Sequence, residues 1–194
     1  MQIAIQPIVR LDTGQTIAFE LLCRPPEGTA GFFRAPSPEE LWLRERLCLE
    51  AALRAAESLR QPVHINLTAA SLPYLIESRI AWRGAVEIVE WGFPLPERIV
   101  ELIAAVRARG MRVWIDDLSP LHWPLWRAIS GIDGYKIDVR DLVFAGAIVR
   151  SGRGVIVERI ETADDADRVV RAGVRLGQGY ALGFPQPLEM EAKR

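Results

Sequence analysis

The feature that most constrains the fold is a regular alternation of short strand patterns and helical patterns along the chain. It follows two apolar, extended segments at residues 3–9 and 16–23, which flank an Asp- and Gly-containing turn and predict a hairpin. Alternation of strand and helix calls for a parallel sheet, and this many repeats favour a closed barrel over an open sheet. We therefore predict an α/β fold, a TIM-type (β/α) barrel with one antiparallel strand from the N-terminal hairpin. Residues 1–194 are expected to form a single domain.

Polar side chains recur where the predicted strands end. Asp116 and Asp117 follow the strand pattern Arg-Val-Trp-Ile, and taken alone they also suit a loop in which Asp117 caps the next helix. The other predicted strand ends carry further carboxylates, amides and an amine: Glu20, Asn66, Glu87, Lys136, Glu158 and Gln178. In a barrel these ends meet at one mouth, and buried carboxylates are costly unless they are paired or bind metal. The coincidence favours a functional site over a solvated surface.

The composition of this set indicates which metal it suits. Its ligands are oxygen atoms, with no His or Cys at a predicted strand end, so Mg²⁺ or Mn²⁺ fits better than zinc. The acids are more than one ion needs, which suggests two ions about 4 Å apart. Asp116 would bridge them, and such a pair can clamp a phosphodiester and activate a water. Lys136 would lie beside the attacked phosphate or the nucleophilic water.

Other features narrow the class of protein. The net charge is −1 with scattered basic residues, so DNA or RNA binding is not expected. No apolar run reaches membrane-spanning length and no signal peptide is recognisable. Cys23 and Cys48 lack metal-ligand spacing and are interpreted as reduced, which predicts a cytoplasmic protein. His64 and His122 are interpreted as structural, although His64 could share the face of Asn66.

The polar residues lie in short motifs that occur in a known order. The chain resembles the EAL domain, the bacterial cyclic di-GMP phosphodiesterase family. The matching pieces run through nearly the whole chain: Gln6-Pro7-Ile8-Val9, Phe19-Glu20-Leu21-Leu22-Cys23-Arg24, Asn66-Leu67-Thr68, Glu87-Ile88-Val89-Glu90, Asp116-Asp117, Lys136-Ile137-Asp138, Glu158-Arg159-Ile160-Glu161-Thr162 and Gln178-Gly179-Tyr180. Each piece alone is weak, whereas eight in order are specific.

The resemblance implies a barrel with one antiparallel strand, and it implies a role for each matching residue. Ligands of the first metal would be Glu20, Asn66, Glu87 and Asp116. The second metal would be held by Asp116, Asp117 and Glu158. Lys136 would position the hydrolytic water, with Asp117 and Glu158 as the other catalytic residues. Arg24, Gln178 and Gln6 would lie near the substrate, while Glu90 and Glu161 would steady the loop after the Asp pair. The implied reaction opens one phosphodiester of cyclic di-GMP to give the linear dinucleotide pGpG.

The chain departs from the family pattern in ways that leave other functions open. Leu118-Ser119-Pro120-Leu121 replaces a glycine-containing mobile loop, and Pro120 should stiffen it. In the family this loop couples the metal site to dimerisation, so a homodimer or a sensory or regulatory partner is conceivable. The intervals between several motifs are also shortened. A non-catalytic relative could act as a cyclic di-GMP receptor or a protein-interaction module, with Trp114, Trp123 and Trp126 as a contact surface or as core. A barrel phosphodiesterase with another substrate is a third hypothesis.

Overall fold

The computed structural model describes residues 1–89 and 97–188, and within them the chain folds as a closed barrel. Its strands are β1 (Gln2–Arg10), β2 (Gln15–Arg24), β3 (Val63–Thr68), β4 (Gly84–Val89), β5 (Arg112–Ile115), β6 (Gly134–Asp138), β7 (Gly154–Glu158), β8 (Leu176–Gly177) and β9 (Gln186–Pro187). The parallel strands from β2 to β8 pair in sequence order. The antiparallel strand β1 pairs with both β2 and β8 and closes the barrel. The predicted hairpin and TIM-type barrel are therefore confirmed.

Helices follow the strands and cover the barrel from outside. In the described residues they are α1 (Thr29–Phe32), α2 (Pro38–Ala55), α3 (Leu72–Ser78), α4 (Ile99–Ala108), α5 (Trp123–Ala128), α6 (Leu142–Arg150) and α7 (Ala163–Arg171). Their ends carry the expected signals. Ser37 accepts a hydrogen bond from the Glu40 amide at the start of α2, and Thr162 forms a capping box with Asp165 at the start of α7. These caps satisfy amides that have no partner within their helix.

The barrel interior is filled below its mouth by one large side chain. Trp114 on β5 packs with Ile8, Ala18, Ala85 and Ile156 in a small cluster separate from the main core. On the parallel strands, Ala18, Ala85, Trp114 and Ile156 each come two positions before an acidic residue on the same inward face, as the period of a strand requires. The polar residues therefore form the next layer toward the mouth.

Three expectations from the sequence need correction. The helical pattern from Pro38 to Leu59 predicts Leu47 on a broad apolar face, but Leu47 is 57% exposed, and Glu45 and Cys48 face inward instead. Cys23 and Cys48, expected to be reduced, form a disulfide with their Cα atoms 5.8 Å apart. The proline-rich sequence at 25–38 predicts an irregular loop, but this segment contains the short helix α1. The sequence also predicts a helix that begins at Pro96 and ends before Gly110, and both Pro96 and Glu90 lie outside the described residues.

A ninth strand was not predicted from the sequence. β9 pairs antiparallel with β1 through Ala4–Pro187 and Ile5–Gln186, outside the closed barrel. It has only two residues, too few for a strand pattern to be recognised. Together with β8 it covers the edge of β1 that faces away from the hairpin.

Candidate active site

Lys136 is the centre of the polar layer at the mouth. Among the described residues, its ammonium Nζ lies within ion-pair distance of four carboxylates. The distances are 3.0 Å to Glu20 Oε2, 2.9 Å to Glu87 Oε2, 3.1 Å to Asp116 Oδ1 and 2.9 Å to Glu158 Oε1. The five residues come from β2, β4, β6 and β7 and from the residue after β5. We call these residues the Lys136 cluster.

Burial and charge act in opposite directions on the Lys136 cluster. Lys136 is fully buried, which alone would lower its pKa, but the surrounding acids raise that pKa well above its ordinary value. Burial likewise opposes ionisation of Glu87. The charge of Lys136 and a hydrogen bond from His64 outweigh that cost and lower the pKa of Glu87 to about 2. Lys136 therefore carries a proton and Glu87 does not.

The other acids are not all compensated by a single ammonium. Burial, together with the charges of Glu87, Glu20 and Asp117, raises the pKa of Asp116 to about 7 although Lys136 opposes the shift. Burial and the charges of Asp116 and Glu20 raise the pKa of Glu158 well above its ordinary value, again against Lys136. Fully ionised, the Lys136 cluster would have a formal charge of −3. The Lys136 cluster would therefore bury more negative charge than its single ammonium neutralises, and a bound cation would stabilise it.

Amide side chains extend the site around Glu20. Asn66 Nδ2 donates to Glu20 Oε1 at 2.7 Å, and Gln178 Nε2 donates to Glu20 Oε2 at 2.6 Å. Gln178 Nε2 also lies 3.1 Å from Gln6 Oε1, and Gln6 Nε2 donates to the carbonyl of Gly183. The two predicted substrate residues Gln6 and Gln178 are thus joined to the Lys136 cluster through Glu20.

His64 is a site residue that the sequence left in doubt. Its Nδ1 lies 2.7 Å from Glu87 Oε1, and the imidazole is nearly buried beside the ring of Trp114. The available signal was strand parity, because His64 lies two residues before Asn66 and so points to the same side of β3. His64 holds the second oxygen of Glu87 and leaves the first to Lys136.

A cavity of about 350 Å³ opens beside the Lys136 cluster. Its lining includes Asn66, Asp116 and Asp117, with Arg24 at the end of β2 and Phe33 after α1. Asp117 is exposed and has a φ of 46°, a left-handed backbone conformation that aspartate tolerates better than most residues. Asp117 and Arg24 therefore border this space without contacting Nζ in the described structure.

The loop after the Asp pair is short and fixed. The amide of Leu118 donates to the carbonyl of Lys136 at 2.9 Å, and its side chain is buried. The carbonyl of Ser119 accepts bonds from the amides of His122 and Trp123 at the entry to α5. The site loop is thereby tied to β6 on one side and to α5 on the other.

The tryptophans on both sides of this loop pack in the core. Trp114 and Trp126 are buried, and the ring of Trp123 packs edge-on against Tyr135 and Phe144. The alternative in which all of these tryptophans form an exposed contact surface is wrong. Their burial removes one reason for assigning the chain a protein-interaction function.

Helix α2 holds the ends of two strands that carry site residues. Glu45 is buried, and its carboxylate accepts bonds from the Thr68 amide at 2.9 Å and the Thr68 hydroxyl at 3.3 Å. Burial raises the pKa of Glu45 to about 7, although hydrogen bonds from Ser71 and Thr68 lower it. One turn later, Cys48 is bonded to Cys23 of β2. The sequence signal for Glu45 was its spacing of three and four residues from the apolar positions 41, 42, 48 and 49, which places it on the buried face of the helix.

Two residues predicted to support the site cannot be placed in it. Glu90 lies outside the described residues. Glu161 is exposed and precedes the capping residue Thr162 of α7. Their supporting roles stay predictions.

The residues present fit a divalent metal by chemistry. Asn66 Oδ1 is buried and has no hydrogen-bond partner among the described residues, so this carbonyl oxygen is available as a ligand. The neighbouring donors are carboxylate oxygens, and their excess negative charge is what a hard cation would neutralise. In the arrangement seen, the acids point to Nζ of Lys136, and no group of three or more His, Cys, Asp or Glu side chains in the described residues is set to hold an ion.

The fold and the site define a mixed-strand barrel with an acidic, oxygen-rich mouth, and solved structures of this kind are known. BlrP1 of Klebsiella pneumoniae, solved with calcium and cyclic di-GMP, is 26% identical with a TM-score of 0.76, over 97% of this chain and 56% of that chain. The EAL domain of Mycobacterium smegmatis DcpA is 19% identical with a TM-score of 0.72, over 95% and 92%. The PaMucR phosphodiesterase, solved with cyclic di-GMP, is 23% identical with a TM-score of 0.69, over 95% and 96%.

These similarities show that the chain has the EAL-domain fold. The chain spans little more than half the length of BlrP1. No family model and no curated protein matches the sequence. In the part of the chain that the structure describes, the helices are too short or too polar to cross a bilayer.

Proposed function

We propose that this chain, residues 1–194, is a single EAL domain that hydrolyses cyclic di-GMP to linear pGpG in a metal-dependent reaction. The main observation that supports this proposal is the Lys136 cluster at the mouth of an EAL-type barrel. The cluster lies beside a cavity that is also lined by Asn66, Asp117 and Arg24. The similar structures of BlrP1 and PaMucR contain cyclic di-GMP, and BlrP1 was solved with calcium and with manganese. These complexes support the assignment of the ligand.

The residues proposed to hold Mg²⁺ or Mn²⁺ are the acids of the Lys136 cluster with Asn66 and Asp117. Glu20, Asn66, Glu87 and Asp116 would hold one ion, and Asp116, Asp117 and Glu158 would hold another. When bound, such ions polarise the phosphodiester and lower the pKa of a water. The uncompensated acids and the unpartnered Asn66 Oδ1 support this proposal.

The chain's own residues would bind and orient the substrate. Lys136 is protonated and buried, so it offers a fixed positive charge and hydrogen-bond donors to a phosphate oxygen or to the attacking water. Arg24 is exposed at the rim of the cavity, where its guanidinium can bind the second phosphate of a cyclic dinucleotide. Gln178 donates to Glu20 and contacts Gln6, and both glutamines border the same mouth.

The decisive test is turnover of cyclic di-GMP by the purified protein with Mg²⁺ or Mn²⁺, followed as formation of pGpG. We expect turnover with one of the two ions and none after chelation. Asp116→Asn should remove it, whereas Asp167→Asn, an exposed aspartate of α7, should not. Absence of pGpG with either ion at near-stoichiometric protein would contradict the proposal.

One observation favours a second function, binding of cyclic di-GMP without hydrolysis. The ammonium of Lys136 lies at the common centre of the acids, where it satisfies part of their demand for positive charge. The fixed loop at Leu118 also differs from the glycine-containing loop of the family pattern. Calorimetry separates the two functions, because a receptor binds cyclic di-GMP with chelator present and yields no pGpG.

The proposed setting of this activity is a cytoplasmic signalling protein. A homodimer or a sensory or regulatory partner would act through the loop at Leu118 and helix α5, since these follow the Asp pair directly. Sedimentation of the purified chain with and without cyclic di-GMP tests the dimer.

A further inference from the structure

The disulfide lies at the substrate side of the barrel. Cys23 is the next-to-last residue of β2, three residues after Glu20 and directly before Arg24. Cys48 lies on the inward face of α2. The cysteines are 25 residues apart in the chain, and a Cα–Cα distance of 5.8 Å is within the range that a disulfide spans. The bond therefore ties the mouth end of β2 to the helix outside the barrel.

Both cysteines also border the cavity beside the Lys136 cluster, together with Arg24, Asn66 and Asp116. Cys23 is half-buried, whereas Cys48 is 7% exposed. Cys23 is the more exposed of the two cysteines, and Sδ of the exposed residue Met1 lies 2.9 Å from its Sγ. This difference in exposure suits a pair in which one cysteine reacts with solution and the other resolves the product.

The helix that carries Cys48 makes a second connection to the site. Glu45, one turn earlier, accepts bonds from the amide and hydroxyl of Thr68, two residues after Asn66. With the disulfide formed, α2 fixes the end of β2 through Cys23 and the end of β3 through Thr68. Glu20 with Arg24, and Asn66, are then held against one rigid element.

We propose that Cys23 and Cys48 form a reversible redox modification site that controls the substrate-facing end of β2. The existence of the site depends on the cysteines alone, whereas its effect on ligand binding rests on the proposed function. Sensitivity to redox state would then be a property of this chain's own cysteine pair.

The chemistry is thiol–disulfide exchange with a small disulfide such as oxidised glutathione. The Cys23 thiolate attacks one sulfur of the small disulfide, forms a mixed disulfide and releases one thiolate. The Cys48 thiolate then attacks Cys23 Sγ, forms the Cys23–Cys48 bond and releases the second small thiolate. Two protein thiols are oxidised, one small disulfide is reduced to two thiols, and a dithiol reductant reverses the reaction.

Reduction should loosen the site, because two thiols cannot remain at bonding distance. Sulfurs in van der Waals contact are more than about 1 Å further apart than bonded sulfurs, so on reduction the two side chains separate and the end of β2 is no longer held at a fixed distance from α2. A shift of that size at Arg24 affects how a phosphate is held, and we expect the Kd for cyclic di-GMP to rise about tenfold on reduction.

The site itself is tested without any ligand. Purified protein is equilibrated with oxidised glutathione or with dithiothreitol, alkylated, and mapped by non-reducing peptide mass spectrometry. We expect a linked Cys23–Cys48 peptide pair after oxidation and two alkylated cysteines after reduction. Two free thiols after treatment with excess oxidised glutathione would overturn the proposal.

The effect on binding is measured by calorimetry with cyclic di-GMP on both forms of the wild type and on Cys48→Ala and Cys23→Ser. Each variant should bind like the reduced wild type and respond to neither reagent. If the oxidised and reduced wild type, each verified by peptide mapping, had equal Kd values, the proposal that the disulfide controls the end of β2 would be overturned. If neither form binds or hydrolyses cyclic di-GMP, the proposed function fails. In that case, limited proteolysis of residues 25–37, which connect β2 to α2, tests whether the disulfide restrains β2. We expect faster cleavage of the reduced form. Equal cleavage of the two forms would overturn the proposal that the disulfide controls β2.

Discussion

Lys136 compensates several acids at once, and each acid therefore depends on the others. Glu87 is held ionised by Lys136 and His64, whereas Asp116 and Glu158 are left with raised pKa values. Without metal, the Lys136 cluster consequently destabilises the barrel once its remaining acids ionise. Function and stability should respond in opposite directions when Asp116 or Glu158 is removed.

Asp116→Asn is expected to stabilise the metal-free protein while it removes turnover. The pKa of Asp116 is raised from 3.8 to about 7 in the folded protein, so folding loses stability as the pH rises between these values. At pH 8 the neutral amide avoids that loss, and the free energy of unfolding should rise by about 4 kcal/mol in chelator. Urea denaturation of both proteins measures the difference.

The same pair of proteins should be indistinguishable in stability near pH 3, where Asp116 is protonated in both states. Asp167→Asn, on the exposed face of α7, should change neither stability nor turnover appreciably. A variant Asp116→Asn that unfolds more easily than wild type at pH 8 would show that its carboxylate is stabilising without metal.

Helix α2 carries the clearest pH dependence at the scale of an element. Glu45 has its pKa raised from 4.5 to about 7, chiefly by burial. Because the folded state binds the proton more tightly than the unfolded state, stability is complete below pH 4.5 and falls as the pH rises to about 7. Glu45→Gln keeps a carbonyl for the Thr68 amide and should be more stable than wild type at pH 8 by about 3 kcal/mol.

Thermal or urea unfolding of wild type and Glu45→Gln between pH 4.5 and 8 tests this prediction. The difference between them should grow with pH and then level off. Glu50→Gln, which removes an exposed ion pair with Arg46 on the same helix, should change stability by less than about 1 kcal/mol. If the difference in unfolding free energy between wild type and Glu45→Gln did not change with pH, the raised pKa of Glu45 would be contradicted.

Strands β6 and β7 have a second element-scale constraint, the space taken by Trp114. A Cβ added at Gly134 would lie 2.5 Å from the indole, and one at Gly154 would lie 2.7 Å from it. Gly134→Ala should therefore destabilise the protein by roughly 2 kcal/mol or more, because the buried ring has no free space to move into. Chemical denaturation gives the value.

Gly146→Ala provides the matched control, since Gly146 lies within α6 and its nearest neighbour is the flexible end of Arg150. Alanine there should stabilise the helix by about 0.5–1 kcal/mol. If Gly134→Ala proved as stable as wild type, the packing of Trp114 across β5, β6 and β7 would be incorrect.

For the whole molecule, the sequence predicted the barrel because its signals are local and repeated. Strand and helix periods, caps such as Thr162, and polar strand ends can each be recognised without knowing what lies opposite. The placement of Glu20, Glu87, Asp116 and Glu158 around one centre follows from barrel closure.

What the sequence did not supply depends on contacts between distant elements. Three such contacts join residues at least 23 positions apart: the disulfide between Cys23 and Cys48, the hydrogen bonds from Thr68 to Glu45, and the contact of His64 with Glu87. The exposure of Leu47 was missed because helix periodicity alone does not say which edge of an apolar face meets the barrel. Lys136 as a common centre also required the three-dimensional arrangement.

The position of the Trp114 indole determines how substrate and product can reach and leave the site. With Ile8, Ala18, Ala85 and Ile156 it fills the interior beneath the acids, so in the described part of the chain the site opens on the side of the mouth. Whatever reaches Lys136 must leave by the route through which it came. In the proposed reaction, the incoming cyclic dinucleotide and the departing linear product would therefore use the same opening. Accumulated product would slow the reaction by occupying that opening.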